Sequence, residues 1–314
     1  MGKLYISAPV DDIQLATHVA PTVAELAGRL PTEQELCHLA RAQGLDYATM
    51  VLYQALHASA GHRPFIDAVN AEPIHTSHPP LDAKVLIIPA LFHGHFPETG
   101  ADAKLVADIA RHCGFAVETL PIRSVASSTV NAQIIAEALS RETARNLWIF
   151  TVSKGTADFR LFLQRHPDHP VIDRLSGWVN ACGIAGGCEI ADYDTATAWR
   201  RLKYWSICRL FGNGPELLRE MRTDHPYWQV PIQLPKSMQV FNFSAVPLGA
   251  HIQTSLISRY QAISQLGPND GMVLCRNSML EHGPCYPVWG CDHFFRSPLV
   301  APLLYRFFGF LRRQ

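Results

Sequence analysis

The sequence has no surplus of charge of either sign. Lysine and arginine together number 27, aspartate and glutamate also number 27, and charged residues make up 17% of the chain. Proteins that bind nucleic acid normally carry an excess of basic residues, because these residues neutralise phosphates. We therefore expect no nucleic-acid partner. Apolar residues make up 48% of the chain, which excludes a disordered protein and indicates a globular one with a buried core.

Long apolar runs and paired cysteine motifs are also missing. No stretch reaches the roughly 18 apolar residues that a membrane helix needs, and the first residues lack the apolar segment of a signal peptide. The chain has eight cysteines, none of them in a C-x-x-C pair. A chain of 314 residues does not need disulfides to build a stable core. We predict reduced, mostly buried cysteines, no integral membrane segment and a cytoplasmic location.

The first 80 residues carry helical patterns and no alternation typical of strands. Residues Pro31–Glu35 resemble a helix start, with acidic residues in the first turn. Apolar residues then follow at helical spacing: Leu45, Ala48, Leu52 and Leu56. A polar, proline-rich connector occupies residues 75–80. We predict an N-terminal helical extension over residues 1–80 and a second unit over residues 81–314.

From residue 84 onward, short apolar runs alternate with helical patterns. The apolar runs predict strands at residues 85–88, 115–120, 147–152, 178–182, 238–243 and 286–289. Helices are predicted at about residues 99–112, at residues 127–139 and at residues 299–311. A further helix is predicted directly after Val152. Such alternation over short connections predicts an α/β fold with a mostly parallel central sheet and helices on both faces.

Residues 188–234 interrupt this alternation with an aromatic-rich segment. Its length predicts a lid or cap insertion over the carboxyl edge of the sheet. The aromatic side chains either line an apolar acyl pocket or form the core of a small helical layer, and both interpretations remain open.

The segment Thr151-Val152-Ser153-Lys154-Gly155 is the most informative junction. A strand of large apolar residues reaches a serine, and a helical pattern begins at once. A sharp strand–turn–helix lifts the serine hydroxyl above the sheet, next to backbone N–H groups that can stabilise an oxyanion. Thr151 stands where the usual G-x-S-x-G pattern has its first glycine. We predict that Ser153 is a nucleophile.

A serine nucleophile needs a base and an acid that orients the base. Asp270 lies in a turn with the sequence Asn-Asp-Gly, and His293 follows a predicted strand. Ser153, Asp270 and His293 therefore occur in the order nucleophile, acid, histidine.

Residues 84–312 resemble the α/β-hydrolase fold, and the esterase and lipase branch in particular. The segment T-V-S-K-G is similar to the nucleophile elbow of that family, N-D-G-M-V to the segment that holds the acid, and G-C-D-H-F to the segment that holds the histidine. The resemblance implies an acyl-enzyme on Ser153, with His293 as general base and acid and Asp270 as the orienting carboxylate.

The resemblance also implies an oxyanion hole formed by two backbone N–H groups. One belongs to Lys154, and the second lies in the loop after the first strand, where Leu91 is favoured and Phe92 is the next choice. Phe92 and His93 are expected to contribute to substrate binding. The expected partner is a small-molecule ester or thioester, whereas the oligomeric state is left open.

Each of these residues has a simpler structural explanation. Ser153 is also a suitable helix N-cap, Asp270 a residue that stabilises its own turn, and His293 a packed aromatic residue. Asp292 is disfavoured as the acid because neighbouring side chains on a strand point to opposite faces. Glu281 is the reserve acid.

Other functions remain as alternatives to ester hydrolysis. An acyltransferase would use the same three residues, and a binding protein would keep the fold without the chemistry. A metal-dependent hydrolase would need about four converging ligands. His93 and His95 form an H-x-H pair, and Cys285 and Cys291 lie close to Asp292 and His293 in the sequence. The spacing of the two cysteines, however, is not that of a standard zinc site, and no C-x-x-C pair completes it. We therefore predict no metal and no cofactor.

Overall fold

A computed structural model describes residues 9–211, 214 and 216–314 of the chain. Within them, six strands form one sheet: β1 (Lys84–Ile88), β2 (Ala116–Thr119), β3 (Leu147–Val152), β4 (Leu175–Ala181), β5 (Gln239–Val246) and β6 (Cys285–Trp289). Their order across the sheet is β2-β1-β3-β4-β5-β6, and every neighbouring pair is parallel. The predicted α/β class and parallel sheet are confirmed.

The apolar runs become the central strands because parallel strands are covered on both faces. All six residues of β3 are buried, whereas the edge strand β2 leaves most of its residues exposed. All parallel strands end at one edge of the sheet, so Val152, Ala181 and Val246 bring three loops together there.

Helices cover both faces of the sheet. They are α4 (Arg63–Ala71), α5 (Lys104–His112) and α12 (Val300–Leu311) on one face, and α6 (Ser128–Leu139) and α7 (Lys154–Arg165) on the other. The helix predicted from about residue 99 begins instead at Lys104. A separate 3-10 turn at Pro97–Thr99 ends at Gly100, whose φ of +82° requires a left-handed backbone.

Among the described residues, three further helices precede α4: α1 (Pro9–Glu25), α2 (Glu33–Gln43) and α3 (Leu45–Ala58). A capping box between Thr32 and Glu35 fixes the start of α2. Helix α3 contacts β6, and Phe65 of α4 stacks on Phe241 of β5. Helices α3 and α4 therefore pack against the sheet, whereas α1 and α2 pack on α3. The first eight residues of the predicted extension lie outside the described residues, and its boundary at residue 80 stays a prediction.

The interruption between β4 and β5 contains α8 (Glu189–Thr195), α9 (Ala198–Leu210) and α10 (Glu216–Met221), and α11 (Ile257–Ile263) follows between β5 and β6. The aromatic residues of the interruption differ in solvent exposure: Tyr227 and Trp228 are buried, whereas Trp199 and Trp205 are exposed. Residues 212, 213 and 215 of the predicted insertion lie outside the described residues. Among the helices that the structure describes, none is long and apolar enough to cross a membrane.

Candidate active site

The turn between β3 and α7 holds Ser153 in an unusual backbone conformation. Its φ is +52° and its ψ is −119°, which non-glycine residues rarely adopt. Hydrogen bonds keep the backbone in place: Ser153 N–H donates to Ala181 O at 3.1 Å, and Ser153 O accepts from Ile184 N–H at 3.0 Å. The Ser153 side chain makes no capping bond to α7. Ser153 therefore occupies the N-cap position without its side chain capping the helix, and the hydroxyl is left for other contacts.

Gly155 allows the turn to sit against the end of β1. A Cβ atom at this position would collide with the carbonyl oxygens of Ile88 and Pro89. Glycine is thus required by close backbone approach rather than by its dihedral angles. The same contact brings the loop after β1 beside the start of α7.

The three residues predicted from chain order meet at the carboxyl edge of the sheet. Ser153 Oγ lies 2.7 Å from His293 Nε2, and His293 Nδ1 lies 2.7 Å from Asp270 Oδ2. All three residues are buried, with Ser153 the most accessible at 7% exposure. A hydroxyl, an imidazole and a carboxylate in this sequence of contacts have the geometry for general-base activation of the hydroxyl.

Asp270 uses its two oxygens for different contacts. Oδ1 accepts from the N–H groups of Met272 and Val273 at 2.9 and 3.0 Å, while Oδ2 faces His293. The backbone N–H of His293 also donates to Asp270 O at 2.9 Å. Turn stabilisation and histidine orientation are therefore compatible, because one carboxylate can do both.

The amides expected to form an oxyanion hole differ in availability. Within the described part of the chain, the N–H groups of Lys154 and Leu91 donate to no other group, whereas the Phe92 N–H donates to Ser124 O at 2.9 Å. Phe92 is therefore wrong as the reserve donor. The Phe92 backbone is also left-handed, with a φ of +65°. Leu91 and Lys154 remain the predicted pair.

The other acids do not face the histidine. Asp292 accepts from the N–H groups of Gln253 and Phe294, and burial raises its pKa above the ordinary value. Glu281 is exposed on the surface.

His93 Nδ1 contacts Ala90 O at 2.8 Å, and His95 Nδ1 contacts Ser124 Oγ at 3.0 Å. In the described ranges, no three His, Cys, Asp or Glu side chains gather in a metal-binding arrangement, and all eight cysteines are unpaired.

Solved structures with a similar architecture include an esterase and a lipase. A metagenomic carboxyl esterase shares 17% identity with a TM-score of 0.58, over 77% of this chain and 78% of that one. The mature form of the Bacillus licheniformis lipase BlEst2 also shares 17% identity, with a TM-score of 0.51, over 74% of this chain and 96% of that one. No protein-family model and no curated protein matches the sequence. The chain has the α/β-hydrolase fold.

A buried polar network, missed from the sequence, lies beneath the nucleophile turn of this α/β-hydrolase fold. Thr156 Oγ1 lies 2.8 Å from Thr151 Oγ1 and donates to Asn180 Oδ1, whose amide donates to Asn242 Oδ1 at 2.8 Å. Thr151, Asn180 and Asn242 stand at neighbouring register positions on β3, β4 and β5. Thr151, which replaces a glycine of the usual motif, thus ties the turn to the sheet. The sequence feature that could have revealed this network is the presence of polar residues within otherwise apolar strands.

Lys154 contributes a buried side chain as well as an amide. Its Nζ lies 2.5 Å from Asp158 Oδ1 one helical turn later, and Asp158 Oδ2 accepts from Asn131 Nδ2 at 2.7 Å. Both charged residues are almost fully buried. The i,i+4 spacing was visible in the sequence, but the burial that makes this pair costly to break was not.

Glu189 connects the start of α8 with the loop that carries Asp270. Its carboxylate accepts from Leu274 N–H at 2.9 Å and from Asn277 Nδ2 at 2.5 Å. Burial raises the pKa of Glu189 to about 7. The protonation state of this carboxyl therefore changes near neutral pH.

Aromatic contacts join the end of α9 to the loop after β1. The Phe211 ring lies 5.3 Å from that of Phe92 and 5.0 Å from that of His95. The α9 segment is therefore adjacent to the loop that carries Leu91.

Proposed function

We propose that this protein hydrolyses a carboxylic ester or thioester through an acyl-enzyme on Ser153. The continuous contact chain from Ser153 Oγ through the His293 ring to Asp270 Oδ2, with both links at 2.7 Å, is the observation that carries the proposal. The esterase and lipase activities of proteins that share the fold agree with it.

In the proposed reaction, His293 Nε2 takes the Ser153 proton as Oγ attacks the carbonyl carbon. The tetrahedral oxyanion accepts hydrogen bonds from the N–H groups of Lys154 and Leu91. His293 then gives the proton to the leaving alcohol or thiol, and an acyl-enzyme remains. Water, deprotonated by His293, releases the acid and restores the serine. Asp270 holds the imidazole in the tautomer that keeps Nε2 free to accept a proton.

Phe92 and His93 are proposed to form part of the wall for the acyl group. Both are partly exposed and belong to the loop that carries Leu91. Replacing Phe92 with alanine should raise KM more for long acyl chains than for acetyl esters, since uniform binding contacts change KM before kcat.

A series of p-nitrophenyl esters and thioesters of increasing acyl length tests the proposal. Ser153→Ala should lose at least about 10³-fold in kcat, and Asp270→Asn about 10³–10⁴-fold. Ser264→Ala is the matched control, because the Ser264 hydroxyl donates to Gln261 O at the surface. A fluorophosphonate probe should label wild type and Ser264→Ala but not Ser153→Ala. Equal turnover by Ser153→Ala and wild type would refute the proposal.

An added alcohol separates hydrolysis from acyl transfer. For a hydrolase, the free acid should remain the main product at millimolar alcohol. Dominance of the new ester would instead assign the same three residues to an acyltransferase.

A further inference from the structure

Helix α9 exposes large apolar side chains that have no place in the core. Trp199 and Leu210 are 75% and 81% exposed, and Leu202 and Trp205 lie between them, also exposed. These four residues, here called the α9 patch, occupy neighbouring positions around one side of the helix at about 100° per residue. Single exposed apolar residues are ordinary, but a contiguous group with two tryptophans marks an interaction surface.

All the charged residues of α9 are basic. The helix contains Arg200, Arg201, Lys203 and Arg209 and no acidic residue. The whole chain carries equal numbers of acids and bases, so this helix concentrates a local positive excess. Arg201, Lys203 and Arg209 are exposed, whereas Arg200 lies on the Tyr193 ring at 3.8 Å.

An open groove of about 790 Å³ continues the positive surface toward α10. Leu202, Trp205 and Leu218 provide its apolar wall, and the Arg222–Asp224 ion pair is part of its lining. Arg201 and Arg219 also line it. Neither arginine forms an ion pair with any residue that the structure describes. The groove therefore offers unneutralised guanidinium groups beside exposed tryptophan, a combination suited to a phosphate attached to an apolar body.

We propose that the α9 patch docks on an anionic lipid membrane surface. Its tryptophans and leucines enter the interfacial region, while Arg201, Lys203, Arg209 and Arg219 contact the phosphates of the headgroups. Charge selects this occupant, because a basic apolar helix is complementary to an anionic bilayer, and a second copy of the same basic patch would repel it. The proposal stands without the proposed hydrolysis, since docking requires none of the three residues at the carboxyl edge of the sheet.

Vesicle binding tests the docking surface directly. Ser153→Ala protein, used to prevent any lipid hydrolysis, is mixed with phosphatidylcholine vesicles with or without phosphatidylglycerol and then sedimented. We expect binding to the anionic vesicles, loss of binding at high salt, and at least about tenfold weaker binding to the neutral vesicles. Tryptophan emission should shift to the blue on binding, because Trp199 and Trp205 leave water.

Two variants and two matched controls locate the interaction. Trp199→Ala with Leu202→Ala, and Arg201→Ala with Lys203→Ala and Arg209→Ala, should each weaken binding at least about tenfold. The controls remove equal numbers of exposed groups elsewhere: Ile13→Ala with Leu299→Ala for apolar area, and Arg141→Ala with Arg145→Ala and Arg165→Ala for charge. Both controls should bind as the Ser153→Ala protein does. Unchanged thermal unfolding in all four variants verifies that their folds are intact.

Three results would overturn the proposal. The first is equal binding to neutral and anionic vesicles, and the second is undiminished binding by the α9 variants. The third is an absence of binding to the anionic vesicles. If the protein is then a dimer that Trp199→Ala with Leu202→Ala converts to a monomer, the patch is instead a contact between copies of this chain.

Discussion

Helices α7 and α9 are similar in length, but their surroundings are opposite. Five of the twelve residues of α7 are apolar, against eight of the thirteen in α9. Nevertheless, nine residues of α7 are buried, including Lys154 and Asp158, whereas Cys208 is the single buried residue of α9. The helix with the more apolar composition is the one that faces solvent.

Position in the topology explains this reversal. Helix α7 follows β3 in the middle of the sheet and packs between the sheet and its neighbouring elements, so that even polar side chains are enclosed. Helix α9 lies within the insertion between β4 and β5 and packs mainly on α8. The core of the domain therefore has little dependence on α9, and its apolar residues remain available to an external partner.

Truncating a large side chain in each helix should give the largest difference between them. Phe162 in α7 is fully buried and stacks on Phe159 at 5.6 Å. Phe162→Ala should lower the free energy of unfolding by about 3–5 kcal/mol, because it leaves a cavity. Leu202→Ala in α9 should change it by less than about 0.5 kcal/mol. Urea unfolding measures both, and similar losses would contradict the contrast.

Removing a lysine from α7 and from α9 compares the contribution of a buried and an exposed charge to the free energy of unfolding. Lys154→Ala should cost about 3 kcal/mol of unfolding free energy, since it leaves the buried Asp158 carboxyl group without its partner. Lys203→Ala should have an effect below about 0.5 kcal/mol. The double variant Lys154→Ala with Asp158→Ala should be more stable than Lys154→Ala alone. If it is less stable, the unpaired carboxylate is not the cause of the loss.

The sequence predicted the fold and the three-residue constellation because both depend on strong local signals. Apolar runs such as residues 147–152 indicate buried parallel strands, and the carboxyl ends of such strands share one edge. Ser153, Asp270 and His293 all follow from that rule and from chain order. The choice of Leu91 over Phe92 as the second oxyanion-hole donor could not be derived from these signals, because it depends on the backbone conformation at Phe92 and on the contact of its N–H with Ser124 O.

The sequence could not predict burial in the helices. Local periodicity shows which residues share a face of a helix but not whether another element covers that face. The exposure of Trp199 and the burial of Lys154 are both set by the three-dimensional positions of α9 and α7. The network around Asn180 was likewise hidden, because strand register determines which polar residues become neighbours.

The pH dependence of the unfolding free energy should reflect the titration of Glu189 in α8, the helix that lies between α7 and α9 in the chain. The pKa of Glu189 is raised from 4.5 to about 7 in the folded protein. Its stabilising contribution is therefore fully present below about pH 4.5 and is lost as the pH rises through about 7. Glu189→Gln, which stays neutral, should remove on the order of 2 kcal/mol of this fall in unfolding free energy. Urea unfolding of both proteins from pH 5 to 8 measures the difference, and parallel curves would contradict the assignment.

The smallest expected effect comes from the N-caps of a core helix and of α9. Ser127 caps α6 and Thr197 caps α9, each with a side-chain oxygen that accepts an N–H at 3.3 Å. Losing such a cap costs about 1 kcal/mol. In α6, whose face is buried, Ser127→Ala should lower global stability by that amount.

In α9, the same loss should remain local, because a helix that buries only Cys208 can open without unfolding the core. Thr197→Ala should therefore speed amide hydrogen exchange in α9 about fivefold, while the urea midpoint changes little. Docking on anionic vesicles should slow that exchange again in both wild type and Thr197→Ala, since a bound helix is held by the lipid surface rather than by its cap. A matching fall in urea midpoint for Thr197→Ala and Ser127→Ala would instead mean that α9 unfolds together with the core.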